Sequence, residues 1–215
     1  MPRTRFVARL LMLSLCCLAL PAAASAGGTL IATVGAVQGR TAAKPQWAPA
    51  WVKMIYREGD TLRTGRGARA EIAYADGTVT RLAANSLLRI HEKQSFGKLL
   101  LGRLWFKIAK QHAPIRIQTP SAVATVVGTE LLIAVDSQDS THVTCLEGHV
   151  KVRGDQGPDV NLASGQWTDV RKGAAAEPPT PFNWGRLKAT EILLQPMKPG
   201  ATGATTEPDP DDIWK

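Results

Sequence analysis

The stretch Ala70-Glu71-Ile72-Ala73-Tyr74-Ala75-Asp76-Gly77-Thr78 decides the fold class. Alternation puts Ala70, Ile72 and Tyr74 on one face and Glu71 on the other, which is the period of a half-buried strand. Asp76-Gly77 follows at once, and both residues tolerate the positive φ of a tight hairpin turn. Residues 78–82 then return as the partner strand.

The same grammar extends in both directions. Residues 29–37 are rich in small and β-branched side chains. Further strands are predicted at 87–90, 104–109, 115–118, 122–127, 131–135, 142–146, 150–153, 160–162 and 166–170. Turn residues separate them: Gly59-Asp60, Gly65, Gly67, Asn85-Ser86, Gly97, Gly102, Thr119-Pro120, Gly128, Glu147-Gly148, Gly154-Asp155 and Ser164-Gly165. Strands spaced by roughly 8–12 residues with turns between them indicate an all-β domain. The expected architecture is a jelly-roll-like sandwich of two facing sheets, or a short β-helix, of about ten short strands. No amphipathic helical period precedes Phe182.

The two ends of the 215-residue chain read differently. Residues 1–9 carry Arg3, Arg5 and Arg9 without an acid, residues 10–20 are a short apolar run, and Ala24-Ser25-Ala26 supplies small residues for cleavage. That order is a Sec-type secretory signal peptide over residues 1–26, and it implies a periplasmic protein without stable membrane insertion after cleavage. The apolar run is shorter than the roughly 20 residues of a comfortable span. Residues 27–172 are then the β domain. Residues 173–215 open with a Pro-rich linker, and Asn183 is a candidate cap for one short helix at 184–194. Prolines and the acids Asp209, Asp211 and Asp212 make a disordered tail the expectation beyond Gln195.

Charge and cysteine content narrow the function classes. Removing Arg3, Arg5 and Arg9 from a formal +8 leaves +5, and the cations are scattered along the chain. Neither a clustered stripe nor a reader motif for nucleic acid is present. Of three cysteines only Cys145 survives cleavage, so no internal disulfide is available. Burial alone must hold the core.

A longer series of motifs runs through Trp47, Val52, Arg57-Glu58-Gly59-Asp60-Thr61-Leu62-Arg63-Thr64-Gly65, the hairpin above, Arg81-Leu82 and Asn85-Ser86. It continues through Leu101-Gly102-Arg103-Leu104, Ile117-Gln118-Thr119-Pro120, Val127-Gly128-Thr129-Glu130, Cys145-Leu146-Glu147-Gly148-His149-Val150 and Leu162-Ala163-Ser164-Gly165-Gln166. In this order the series resembles the FecR domain. The resemblance implies a periplasmic β-rich module that, in familiar members, follows an anti-sigma segment and a membrane helix and relays a signal from an outer-membrane transporter. Here only a signal peptide is read before the module, so sigma-factor control is not carried over. Val127 also stands where the family usually has Arg. Gly59, Asp60, Gly65, Asp76, Gly77, Gly128, Thr129, Glu147, Gly148, Gly165 and Gln166 are read as scaffold residues, with the glycines permitting turn dihedrals that a Cβ penalises.

Nothing nominates a catalytic centre, a cofactor or a metal. His91, His112, His142 and His149 lack the two-apart spacing of a cupin site. His142 and Cys145, three apart on one strand, fall on opposite faces. There is no nucleophile elbow, phosphate loop or zincin motif. The candidate binding residues are Arg103, Trp105 and Lys107, which share one face of a strand whose other face is Leu104, Phe106 and Ile108. A ring between two cations suits an envelope protein or a cell-wall glycan. The alternative is that Trp105 is covered by the N-terminal segment or by the C-terminal helix. Trp47 and Trp167 are read as packing residues. The expected function is therefore a non-catalytic binding or signal-relay module. A lipid- or polysaccharide-handling jelly roll and a cupin-like enzyme are the other classes weighed.

Overall fold

A computed structural model describes residues 27–90, 95–109, 114–185, 187 and 191–198. The predicted signal peptide, His91, His112 and residues 199–215 lie outside these. Among the described residues seventeen strands run in chain order: β1 Gly28–Val34, β2 Val37–Arg40, β3 Ala48–Pro49, β4 Ile55–Tyr56, β5 Thr61–Thr64, β6 Arg69–Ala73, β7 Val79–Leu82, β8 Leu87–Ile90 and β9 Ser95–Lys107. They continue with β10 Ile115–Gln118, β11 Ala122–Val126, β12 Glu130–Val135, β13 Thr141–Glu147, β14 His149–Gly154, β15 Val160–Ala163, β16 Gln166–Val170 and β17 Thr180–Pro181. The protein is all-β, as its alternation predicts.

Two sheets share the strands almost equally. Sheet A runs β4-β1-β6-β7-β9-β12-β13-β16-β17. Sheet B runs β3-β2-β5-β8-β9-β10-β11-β14-β15. Every pairing is antiparallel except β9 with β10, so of the two predicted architectures the sandwich is the one formed. Inner faces of both sheets meet in one core, with Ile72, Leu104, Phe106 and Leu131 from sheet A against Leu62, Leu88, Leu99 and Ile117 from sheet B, all 0% exposed. The hairpin that opened the reading forms as expected. Asp76 accepts from the Thr78 amide at 2.8 Å, and Gly77 takes φ +86°.

β9 serves both sheets. Gly97 and Gly102, which the sequence predicts as turns between shorter strands, both lie inside one thirteen-residue strand. A Cβ on Gly97 would stand 2.8 Å from the carbonyl of Arg89. At Gly102, φ is +88° and a Cβ would stand 2.5 Å from Cα of Ser86. Gly102 is thus the corner where the strand leaves sheet B (pairing Leu101 with Leu87) and enters sheet A (pairing Gly102 with Val135). Strands that change sheets need such a bend. Gly65, by contrast, lacks the positive φ expected of it. Gly67, two residues on, carries it at +67°.

Candidate functional site

Register brings the candidate residues together on the outer face of sheet A. Leu104, Phe106 and Ile108 enter the core, so Arg103, Trp105 and Lys107 point away from it. Directly paired residues share a face, and the pairing Glu71–Arg81–Trp105–Leu132 continues across β6, β7, β9 and β12. A carboxylate, a guanidinium, an indole and a leucine therefore stand in one cross-strand row.

That row is covered, so of the two readings of Trp105 the covered one is formed. Trp105 is only 4% exposed. It belongs to a second apolar cluster with Ala83, Leu132, Leu146 and Leu193, against which Phe182, Leu187 and Leu194 also pack. Leu193, fully buried, arrives from the chain's C-terminal part. Trp184, Gly185 and Leu187 are helical within the predicted 184–194 helix, and its end, Ile192–Leu194, tightens to a 3-10 turn. Of the two covers considered for Trp105, the C-terminal segment is the one observed.

Polar contacts fix the cover in register. Arg81 Nε donates to Glu71 Oε2 at 2.7 Å, and its guanidinium carbon lies 3.9 Å from the Trp105 ring centre. A second guanidinium nitrogen of Arg81 donates to the carbonyl of Leu193 at 3.1 Å. The Met197 amide donates to Glu71 Oε2 at 3.2 Å. Arg103 reaches Glu191 at 2.7 Å, and the Trp105 indole N–H donates to Glu130 at 3.0 Å. Lys107, on the open rim, lies 3.8 Å from Glu130. Glu71, read only as pointing outward, is buried at the base of this arrangement, with Arg81 beside it. Sequence reasoning missed both, because nothing local shows that residues 191–197 return to this face.

Among the described residues no cluster of three or more histidines, cysteines or carboxylates stands ready for a metal ion. His142 meets Asp169 at 2.7 Å beside the Trp167 ring, whereas Cys145 is in the core on the other face. Burial pushes the Cys145 thiol up to about 11, away from the nucleophilic thiolate. A depression of about 230 Å³ at the end of the outer face is lined by residues including Lys107, Thr129, Glu130 and Glu147, with no histidine. Asp60 accepts from the amides of Ala42 and Arg57, Gln166 from that of Ala163, and Thr129 donates to the carbonyl of His149. Gly59, Gly77, Gly128, Gly148 and Gly165 all take positive φ.

The sequence model of the family FecR protein matches residues 60–151, from β5 into β14. Over that stretch the chain resembles a FecR domain. Strands β1 to β4 and β15 to β17 complete the sandwich around the matched FecR region. Two crystal structures of a candidate anti-sigma factor from Parabacteroides distasonis ATCC 8503, at 1.65 Å and 2.50 Å, share the fold with a TM-score of 0.52 and 17% identity. The alignments cover 60% of this chain and 63% and 62% of those chains, so the likeness spans under two thirds of their length. No curated protein matches the sequence. Val127, at the position where the family resemblance leads one to expect Arg, is 51% exposed beside Gly128.

Proposed function

We propose that this chain is a non-catalytic binding and signal-relay module that works in the periplasm after export, and that the Trp105 face of sheet A is where it meets an envelope protein. One observation carries the reading. The outer face of a sandwich is ordinarily solvated, yet here it bears a tryptophan, two leucines and a buried ion pair, held from water by a segment about ninety residues further along. Such a face is adhesive, because a large ring and desolvated apolar area dominate contact energies. The resemblance to a FecR domain supports the relay class, and the closed apolar core favours it over a lipid carrier, which needs an open groove.

A relay also needs an element with two states. The segment at 191–197 is that element: it meets the face through two buried apolar side chains, Leu193 and Met197, through single hydrogen bonds to Arg81 and Glu71, and through the Arg103–Glu191 pair. A strap held by so few contacts yields to a competing partner.

The direct test is affinity capture from envelope extract with wild type and Trp105→Ala. The expected result is an envelope protein retained by wild type and lost from the variant. Identical sets of captured proteins remove the Trp105 face from the account.

A further inference from the structure

The opposite outer face, that of sheet B, is charged in a different way. On sheet A each outward cation described above has a carboxylate partner: Arg81 with Glu71, Arg103 with Glu191, Lys107 with Glu130. On sheet B, register builds a row across seven strands, Arg40–Thr61–Arg89–Lys98–Gln118–Val123–Arg153. A second row, Arg116–Thr125–Lys151, lies beside it. Buried neighbours Leu62, Leu88, Leu99, Ile117 and Val152 place these cations on the outside. No outward position on the described strands of this sheet holds an acid. Asp159, in the β14–β15 loop, pairs with Arg153 at 2.6 Å and Lys151 at 3.9 Å. Arg89, Lys98 and Arg116 meet no carboxylate among the described residues.

Arg89 and Lys98 are directly opposite on antiparallel strands, an arrangement that like charges destabilise. Counter-charge from outside the chain relieves it. At one end of the row the guanidinium carbons of Arg40 and Arg63 lie 4.7 Å and 4.2 Å from the Trp47 ring centre, which holds both cations in place.

We infer that this face docks a linear acidic polysaccharide lying across the strands. Six strand spacings of about 4.8 Å make the main row roughly 29 Å long. Twist of about 20–25° per strand turns it through roughly 120–150° from end to end. A flat anionic bilayer meets only part of such a row, whereas a flexible polyanion follows it. Single-stranded nucleic acid wants aromatic platforms between the cations. The accessible positions between them are Gln118, Val123 and Thr125, with Thr61 buried in the row, and the ring at its end, Trp47, is engaged by two arginines. Hydroxyl and amide groups between cations suit a hydroxyl-rich chain bearing carboxylates. This inference concerns a different face from the Trp105 site, so either reading can fail without the other.

The test is affinity electrophoresis and titration calorimetry of the purified protein with polygalacturonate, a linear polyuronate, at low and high salt. Neutral dextran, oligothymidylate and phosphatidylglycerol vesicles are the comparison arms. The expected result is salt-sensitive binding of polygalacturonate, weakened at least tenfold in Arg89→Gln/Lys98→Gln and in Arg116→Gln/Lys151→Gln. Arg171→Gln/Lys172→Gln, which removes two cations at the far end of sheet A, should bind as wild type. No binding of polygalacturonate, or equal loss in all three double variants, overturns the proposal. Equal or tighter binding of oligothymidylate or vesicles overturns the assignment to a glycan. Unchanged circular dichroism of each variant establishes that folding is not the cause.

Discussion

The guanidinium of Arg81 bridges Trp105 and Glu71: it lies 3.9 Å from the indole centre and donates to the carboxylate at 2.7 Å. All three side chains are more than nine-tenths buried. Removing one member leaves the others in a dry place without compensation. Arg81→Met should destabilise the protein by about 3–5 kcal/mol, the cost of stranding a buried carboxylate. The double variant Glu71→Gln/Arg81→Met should recover part of that loss. Denaturant titration of the three proteins checks both statements, and a single-variant loss below about 1 kcal/mol, the value of an exposed pair, contradicts them.

The strap should behave as a separate cooperative unit. Leu193→Ala removes a fully buried anchor, and in an integral core such a change costs about 2–5 kcal/mol. Because a docked segment can leave while the sandwich stays folded, the global loss here should stay under about 1 kcal/mol. Cleavage by protease within 182–198 should accelerate markedly instead. Loss of the full core value would make the segment part of the sandwich.

Gly102→Ala should be among the most damaging single-methyl additions. It demands a positive φ of a non-glycine residue and drives a Cβ into the backbone of Ser86. The expected cost is at least about 2–3 kcal/mol, read as a lowered denaturation midpoint. Gly67→Ala, where an added Cβ meets nothing within 4 Å, should cost less.

The protein's two tyrosines report its alkaline limit. Burial, with Asp60 adding to it, pushes Tyr56 from 10.0 up to about 12, and burial with Asp76 pushes Tyr74 up as well. A raised folded value means the folded state keeps a proton that the unfolded state releases. Stability is therefore intact below pH 10 and falls as the pH rises from 10 through 12, with the more deeply buried Tyr74 continuing the fall beyond. Phenolate absorbance should appear together with unfolding. Tyr56→Phe should flatten the stability slope in that window. Phenolate formation by the native protein near pH 10 contradicts this.

Charge repulsion on sheet B also has a stability signature. Arg89→Gln should raise stability by about 0.2–1 kcal/mol at low salt, since it relieves the pair with Lys98. The gain should vanish at high salt, where screening already does so. A loss at low salt would mean that Arg89 has a partner.

Much of this was legible along the chain because alternation and turn chemistry are local. Ala70, Ile72 and Asp76-Gly77 declare a hairpin without reference to anything else. The short strands β2 to β5 were not declared, since two to four residues carry too little pattern. Gly97 and Gly102 misled, because a glycine that ends a strand and one that bends it look alike in sequence. The alternation around Trp105 gave its face correctly but not its exposure. Cover came from Leu193, and no local signal records a contact between residues so far apart. The cations of sheet B looked scattered for the same reason. Arg40, Arg89, Lys98 and Arg153 are distant in sequence and adjacent only through register.

On the proposed function a partner and the strap compete for one surface. The measurement is the amount of the captured envelope protein retained by wild type, Trp105→Ala and Leu193→Asp under matched conditions. Competition predicts opposite shifts: less than wild type when the ring is removed, more when the strap is loosened. Retention that falls in both variants, or that neither changes, contradicts the account.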